Sequence, residues 1–335
     1  NPPPLPARKM TVAGRRSPVT GALSAEAPAT CDLRPATVIF LAGKGGVGKT
    51  TCAASIALQL AQRNPEKRYT VISVDPAHAL RDVFASEAPP PNLTVEIVDT
   101  RQKWQRFRET LGDEIERAMD AIRPGNLTVA YDGEAMRKLI ELAPPGADEL
   151  FAVSRLAELA ADESQAMVIV DTAPTGHFLR LLELPKTAGE WVREFMRLLL
   201  RYRDLVSPGS LGEELVKASR AMHSLEETLH SERTAVVVVT RPERIVVAET
   251  KRLIDALEKK EIHIASVIAN YVTPANDCKC DQSMRSHEMN TLEPLARNRG
   301  PRPEARGLVL ALVERRDAPV TKLADLAALF RVASD

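Results

Sequence analysis

The chain has 335 residues, 44% of them hydrophobic, with 45 lysines and arginines balancing 45 aspartates and glutamates. That length suits one large α/β domain with insertions or two small domains, and the apolar content rules out a wholly disordered chain. A zero balance gives no electrostatic case for a nucleic-acid partner, and apolar runs of a few residues fall far short of the roughly 20 that an integral membrane helix needs.

Residues 1 to about 35 are rich in Pro, Ala, Ser and Arg, poor in acids and without periodicity. This predicts a disordered or trimmed tail, with a transit peptide as the other reading. The domain proper is expected over 36–335. Thr37-Val38-Ile39-Phe40-Leu41 predicts a buried strand. It leads into Gly43-Lys44-Gly45-Gly46-Val47-Gly48-Lys49-Thr50-Thr51, which matches the full phosphate-loop pattern GxxxxGK[ST]. Glycines at these spacings let backbone N–H groups turn inward around phosphates. A helix from Lys49 to about Arg63 adds its positive dipole end. Lys49 is expected to reach the β- and γ-phosphates of ATP, and the Thr50 hydroxyl to ligate Mg²⁺. Lys44 is an extra lysine just after the first glycine, a deviant form of the loop.

A second strand, Tyr69 to Val74, ends at Asp75, and Val95 to Val98 forms a third. Residues from about 104 to 161 read as purely helical. Met167 to Val170 is a fourth strand ending at Asp171, followed by a second helical stretch from about 187 to 230. Ala235–Val239 and Ile264–Ala269 are two further strands, the latter ending at Asn270. Strands so uniformly apolar suit a sheet covered on both faces. The fold class is therefore α/β, a doubly wound, mostly parallel phosphate-loop sheet with a helical subdomain inserted. Polar residues at strand carboxyl ends mark where such sheets bind ligands. The segment Ala305 to Val332 reads as two helices broken near Pro319.

Four cysteines, Cys31, Cys52, Cys278 and Cys280, are too few and too oddly spaced for a secreted disulfide scaffold. A cytoplasmic location with transient visits to a membrane is expected. Cys278-Lys279-Cys280 on its own reads as two loop thiols.

Three motifs together resemble one family. They are the loop at 43–51, Asp75-Pro76-Ala77-His78-Ala79-Leu80-Arg81-Asp82, and Asp171-Thr172-Ala173-Pro174-Thr175-Gly176-His177. The set resembles the ArsA/GET ATPases, which include the arsenite-pump ATPase and the tail-anchored-protein targeting ATPase. Supporting matches are 144–149, Leu184-Pro185, Pro242-Glu243 with Glu249-Thr250, and Glu304-Ala305-Arg306-Gly307. The resemblance implies that Asp82 orients or deprotonates the attacking water. It implies that Asp171 contacts Mg²⁺ through water with help from Asp75, and that segment 171–177 is a switch. It further implies that Asn270 and Glu243 contact the nucleotide. Lys44 by resemblance crosses to the partner's nucleotide in a homodimer; the bland alternative is a solvated lysine. The partner classes implied are membrane-protein cargo or a membrane pump subunit. An ATP- or metal-gated chaperone and a MinD/ParA-type positioning ATPase are the competing functions. By resemblance, Cys278-Lys279-Cys280 stands where many relatives carry CxxC and bind one Zn²⁺ between two subunits, here with the spacing one residue short; two loop thiols without a metal are the other reading. The resemblance also implies cysteines in the helical subdomain of the arsenite-pump members; no cysteine lies between Cys52 and Cys278 here, which argues against the same site. Met is sparse in the helical stretches, at Met119, Met136, Met196 and Met222. Trp191, Phe195, Leu198, Leu199, Tyr202 and Leu205 have helical spacing and read either as a groove lining or as a packing face.

Overall fold

Short runs of β-branched residues build the centre of the molecule. The computed structural model describes residues 30–31, 33, 36–75, 79–85, 87–120, 149–201, 209–296, 309–316, 320, 322–329 and 331–332. Within them the strands are β1 (Thr30–Cys31), β2 (Val38–Ala42), β3 (Arg68–Ser73), β4 (Leu93–Ile97), β5 (Gln165–Asp171), β6 (Thr234–Thr240), β7 (Ile264–Val272), β8 (Val309–Glu314) and β9 (Arg331–Val332). The helices are α1 (Lys49–Arg63), α2 (Ala79–Val83), α3 (Thr100–Asp120), α4 (Leu150–Ala161), α5 (Thr175–Arg201), α6 (Gly209–Leu229), α7 (Arg244–Lys259), α8 (Lys279–Ala296) and α9 (Leu323–Ala327).

Strands β2 to β8 form one seven-stranded sheet in the order β4-β3-β5-β2-β6-β7-β8. Every neighbouring pair is parallel. Because side chains alternate along a strand, each central strand feeds two cores. Val38, Phe40, Val170 and Val238 face one side with Phe178, Leu156 and Leu225 from the inserted helices. Ile39, Leu41, Ile169 and Val237 face the other with Ile56, Ala57 and Leu60 of α1. Phe40 and Phe178 are essentially unexposed, their rings 5.8 Å apart. Burying each such side chain stabilises the fold by about 1.5–3 kcal/mol.

Helices α3 to α6 interrupt the strand–helix alternation, as the inserted helical subdomain of the sequence reading requires. Trp104 stacks on Phe107, which meets Phe151 edge-on. Arg155 of α4 grips Glu96 of β4 through two N–H donors at 2.7 and 2.9 Å, and also reaches Glu158. Glu158 in turn pairs with Lys217 of α6. These charges clip the helical layer to the sheet edge. Met222 is buried in this layer. Segments 1–29, 76–78, 144–148 and 304–307, with Tyr202 and Leu205, lie outside the described residues. So do the side chains of Trp191, Phe195, Leu198 and Leu199, and with them the groove reading.

Two expectations need correction. Of the two helices expected over 305–332, the first gives way in the described residues to strand β8, and the second shortens to helix α9, followed by strand β9. Leu310 and Leu312 join one core while Ala311 and Val313 join the other. A short apolar run buried on both sides cannot be told from a helix by periodicity; parallel pairing with Ser266–Ala269 of β7 decides it. Strand β7 also runs past Asn270 to Val272. Its register shifts between Ala269 and Val272, where Tyr271 takes φ of 65°. This bulge re-aims the Asn270 side chain.

Candidate functional site

The phosphate loop leaves the carboxyl end of β2, the middle strand, and enters α1 at Lys49. Its shape depends on two glycines. Gly43 has φ of 151°, and a Cβ there would stand 2.2 Å from the Val239 carbonyl oxygen. Gly48 has φ of 96°, and its Cβ would stand 2.2 Å from Asn270 Nδ2. Any side chain at either position would force the loop off the sheet. Asn270 completes the clamp: its Nδ2 donates to the Val47 carbonyl at 2.8 Å, and its Oδ1 accepts from the Tyr271 N–H at 2.9 Å. One amide N–H and one lone pair remain for a base.

Lys49 is buried, and its Nζ donates to the Lys44 carbonyl at 3.3 Å. Burial holds its pKa below the ordinary lysine value, opposed by the charges of Asp171 and Asp75. A cation so short of solvation gains strongly from an anion in the loop. Asp171 ends β5 with 1% exposure. Its Oδ2 accepts from Thr50 Oγ1 at 2.9 Å and from Ser73 Oγ at 3.2 Å. Its Oδ1 is buried and has no hydrogen-bond partner among the described residues. Burial pushes its pKa up to about 6, against the pull of Thr50, Lys49 and Ser73.

An orphaned carboxylate oxygen beside a threonine hydroxyl, under a glycine cradle and next to a desolvated lysine, fits Mg²⁺ with a triphosphate. Hard oxygen donors and bound waters are what Mg²⁺ takes. Thr50 and Asp171 are the residues that would hold it.

The structure brings Lys49, Thr50, Asp75 and Asp171 into one cluster, with Gly43 to Gly48 above them and Asn270 behind. Gly45 and Gly46 are exposed, Thr51 half-buried on α1 and Val47 buried. The Thr175 N–H donates to the Gly43 carbonyl at 3.2 Å, so the 171–177 segment touches the loop. Asp82 is exposed on α2, and among the described residues it makes no hydrogen bond or ion pair with Lys49, Thr50 or Asp171. Glu243 is exposed just before α7, 4.0 Å from Arg241. Cys278 and Cys280 are free and exposed at the start of α8. Among the described residues no group of three or more His, Cys, Asp or Glu side chains gathers to hold a metal.

Sequence reasoning missed three features. Ser73 is the second donor to Asp171; a polar residue closing an apolar strand was the available signal. Arg241 lies 4.1 Å over the Tyr271 ring, and Lys44 pairs with Glu249 at 3.2 Å. Both contacts join residues far apart in the chain, and no local spacing marks them.

Asp171→Asn offers a direct check on the metal-free protein. The folded pKa lies above the ordinary 3.8, so this group's stabilising contribution is present below pH 3.8 and lost as pH rises through about 6. In chelator, wild type should therefore lose on the order of 2–3 kcal/mol between about pH 4 and 7 from this one group. The asparagine variant should lack that loss and melt higher at pH 8. A variant that melts lower at pH 8 contradicts the desolvation argument.

The family model described as Anion-transporting ATPase matches residues 36–294. The ATPase ASNA1 homolog of Entamoeba dispar is 31% identical over 269 residues, covering 72% of this chain and 78% of that protein. ATPase GET3B of Arabidopsis thaliana is 30% identical over 285 residues, covering 76% and 69%. ATPase GET3 of Kluyveromyces lactis is 30% identical over 271 residues, covering 73% and 76%. With the phosphate loop, the parallel sheet and the inserted helices already described, these matches assign the chain: it belongs to the ArsA/GET family of P-loop ATPases.

Proposed function

We propose that two copies of this chain face each other across their phosphate loops, enclose two molecules of ATP and couple hydrolysis to cargo handling or transport at a membrane. The carrying observation is the opposed setting of two lysines in one loop. Lys49 is buried and turned inward, whereas the Lys44 side chain leaves the loop and stays partly exposed. A lysine directed away from its own phosphates can serve a second copy's nucleotide.

The reaction is in-line attack of water on the γ-phosphate. Lys49 and the loop N–H groups of Gly43 to Gly48 hold the phosphates, and Lys44 of the facing chain neutralises charge that builds as the bond breaks. Thr50 and Asp171, with Asp75 nearby, would hold Mg²⁺, which when bound would supply positive charge against the phosphate oxygens. Asp82 orients the water or takes its proton; its exposed position on α2 requires that segment to close over the nucleotide. Asn270 contacts the base, and Glu243 is a further contact to the nucleotide.

Hydrolysis reaches the helical subdomain by a short route. Thr175 is the first residue of α5, a 27-residue helix. A shift of the Thr175 N–H on the Gly43 carbonyl therefore moves one end of a long lever. His177 Nδ1 lies 3.5 Å from Glu149 Oε1 just before α4, which ties the same turn to a second helix. Among the described residues no helix is long and apolar enough to cross a membrane, so cargo or a pump subunit would supply the membrane part. A zinc shared between the Cys278 and Cys280 thiols of two chains belongs to this reading only where the twofold axis passes beside them.

Sedimentation with and without a non-hydrolysable ATP analogue tests the pairing. A nucleotide-dependent dimer is expected; a monomer at saturating nucleotide and high protein concentration would sink the reading. Hydrolysis measured with As(III), Sb(III) or a detergent-solubilised tail-anchored peptide then separates the cargo classes.

A further inference from the structure

The loop lysine that faces outward is not free. Lys44 Nζ lies 3.2 Å from Glu249 Oε2, the two side chains 36% and 29% exposed. We propose that Glu249 is the positioning residue for Lys44: it holds the ammonium against its own chain until a second copy presents nucleotide. This rests on the shared-site reading above.

The pair is built by the fold. Gly43 packs its α-carbon onto the Val239 carbonyl, so the start of the loop is seated on the end of β6. The chain then leaves β6 and enters α7, whose rotation is set by a buried anchor. The Thr250 hydroxyl is fully enclosed, within hydrogen-bond reach of Thr240 Oγ1 at 2.8 Å and the Val246 carbonyl at 2.9 Å. Val246, Leu253 and Ile254 bury the same helix. Thr250 thereby fixes the direction of Glu249, its neighbour. Lys44 and Glu249 thus hang from one strand end through two rigid connections. The two attachment points are therefore fixed relative to one another, and what pairing costs is the rotamer freedom of the two side chains themselves.

The charges at Lys44 divide cleanly. Its carbonyl accepts from the Lys49 ammonium inside the loop, and its ammonium meets a carboxylate outside. While Glu249 holds it, Lys44 neither folds back toward its own phosphates nor stands as a bare cation on the face that meets the second copy. A nucleotide triphosphate carries several negative charges in a site closed from water. One half-exposed carboxylate loses that competition once the second copy docks. The hold is therefore weak enough to release and strong enough to bias. A partly exposed pair of this kind shifts the free fraction of Lys44 by about two- to fivefold.

Glu249→Gln keeps the shape and removes the charge. Hydrolysis by the full chain is measured against protein concentration. Each pair of chains must release two such lysines, so the variant should reach half-maximal rate per chain at a concentration about four- to twenty-five-fold lower, with the maximal rate unchanged. In a Lys44→Ala background, sedimentation with a non-hydrolysable ATP analogue should show no difference between chains with and without the Glu249→Gln substitution. An unchanged or higher midpoint, or a lower maximal rate, overturns the proposal; the last would mean that Glu249 assists the assembled site. Lys44→Ala alone separates the two failures. If it hydrolyses ATP as wild type does, the shared site is wrong and Glu249 has nothing to hold. If it is inactive while Glu249→Gln leaves the midpoint in place, only the holding role fails.

Discussion

Lys49→Ala is expected to lower ATP hydrolysis by about 10²–10³-fold and to remove nucleotide binding with it. The residue is the inward cation of the loop, at 6% exposure, and its ammonium has the Lys44 carbonyl as hydrogen-bond acceptor at 3.3 Å. The effect is on binding, not on folding. Burial lowers the Lys49 pKa, so the folded state binds this proton less readily than the unfolded chain. Wild-type stability should then rise with pH in the window below the unfolded value of 10.5, as the unfolded chain loses its advantage in binding the proton. The alanine variant should show a flatter alkaline profile and no loss of nucleotide-free stability. Thermal melts with Mg²⁺–ATP make the contrast sharp. Wild type should gain about 2.7 kcal/mol at nucleotide a hundredfold above its Kd, and the variant nothing. A variant that keeps the nucleotide-induced shift would mean that Lys49 does not hold the phosphates.

How much of this could be read from the residues depends on the range of the interactions. Helix α1 runs from Lys49 to Arg63, as glycine before it and alternating small apolar residues within it imply. The central strands are legible because Val, Ile and Phe in unbroken short runs suit a sheet buried on both faces. Strand β8 is not legible: Val309 to Val313 carries too few residues for a period, and only the open edge of β7 makes it a strand. The bulge at Tyr271 has no local signal either, since neither Asn270 nor Tyr271 is a glycine and the positive φ of Tyr271 comes from how β7 meets β8. The site divides in the same way. Lys49, Thr50 and Asp171 are found because one motif and one strand end carry them. The Ser73 bond to Asp171, the Asn270 clamp on Val47 and the Glu249 hold on Lys44 span 98, 223 and about 200 residues of sequence. They exist only once parallel strands bring their carboxyl ends together.

Lys44→Ala should behave differently from Lys49→Ala, although the two residues share a loop. Truncating Lys44 leaves its carbonyl in place, and with it the acceptor for Lys49. The glycine turns and the Asn270 clamp are untouched. Nucleotide binding should therefore survive nearly intact, while hydrolysis falls by about 10³-fold or more, the scale of losing a cation supplied in trans. Mixing the two inactive variants gives the decisive reading. In a mixed pair, the chain carrying Lys44→Ala keeps its own Lys49 and receives Lys44 from its partner, so one of the two sites is whole. Random pairing of equal amounts puts about half of the chains in mixed pairs, and recovery should reach up to about a quarter of the wild-type rate. The other site lacks both cations and stays silent. If Lys44 acts within its own chain, no mixed pair contains a complete site and mixing restores nothing. Recovery should also depend on total protein concentration, rising where pairs form, because a chain alone cannot supply the missing charge to itself.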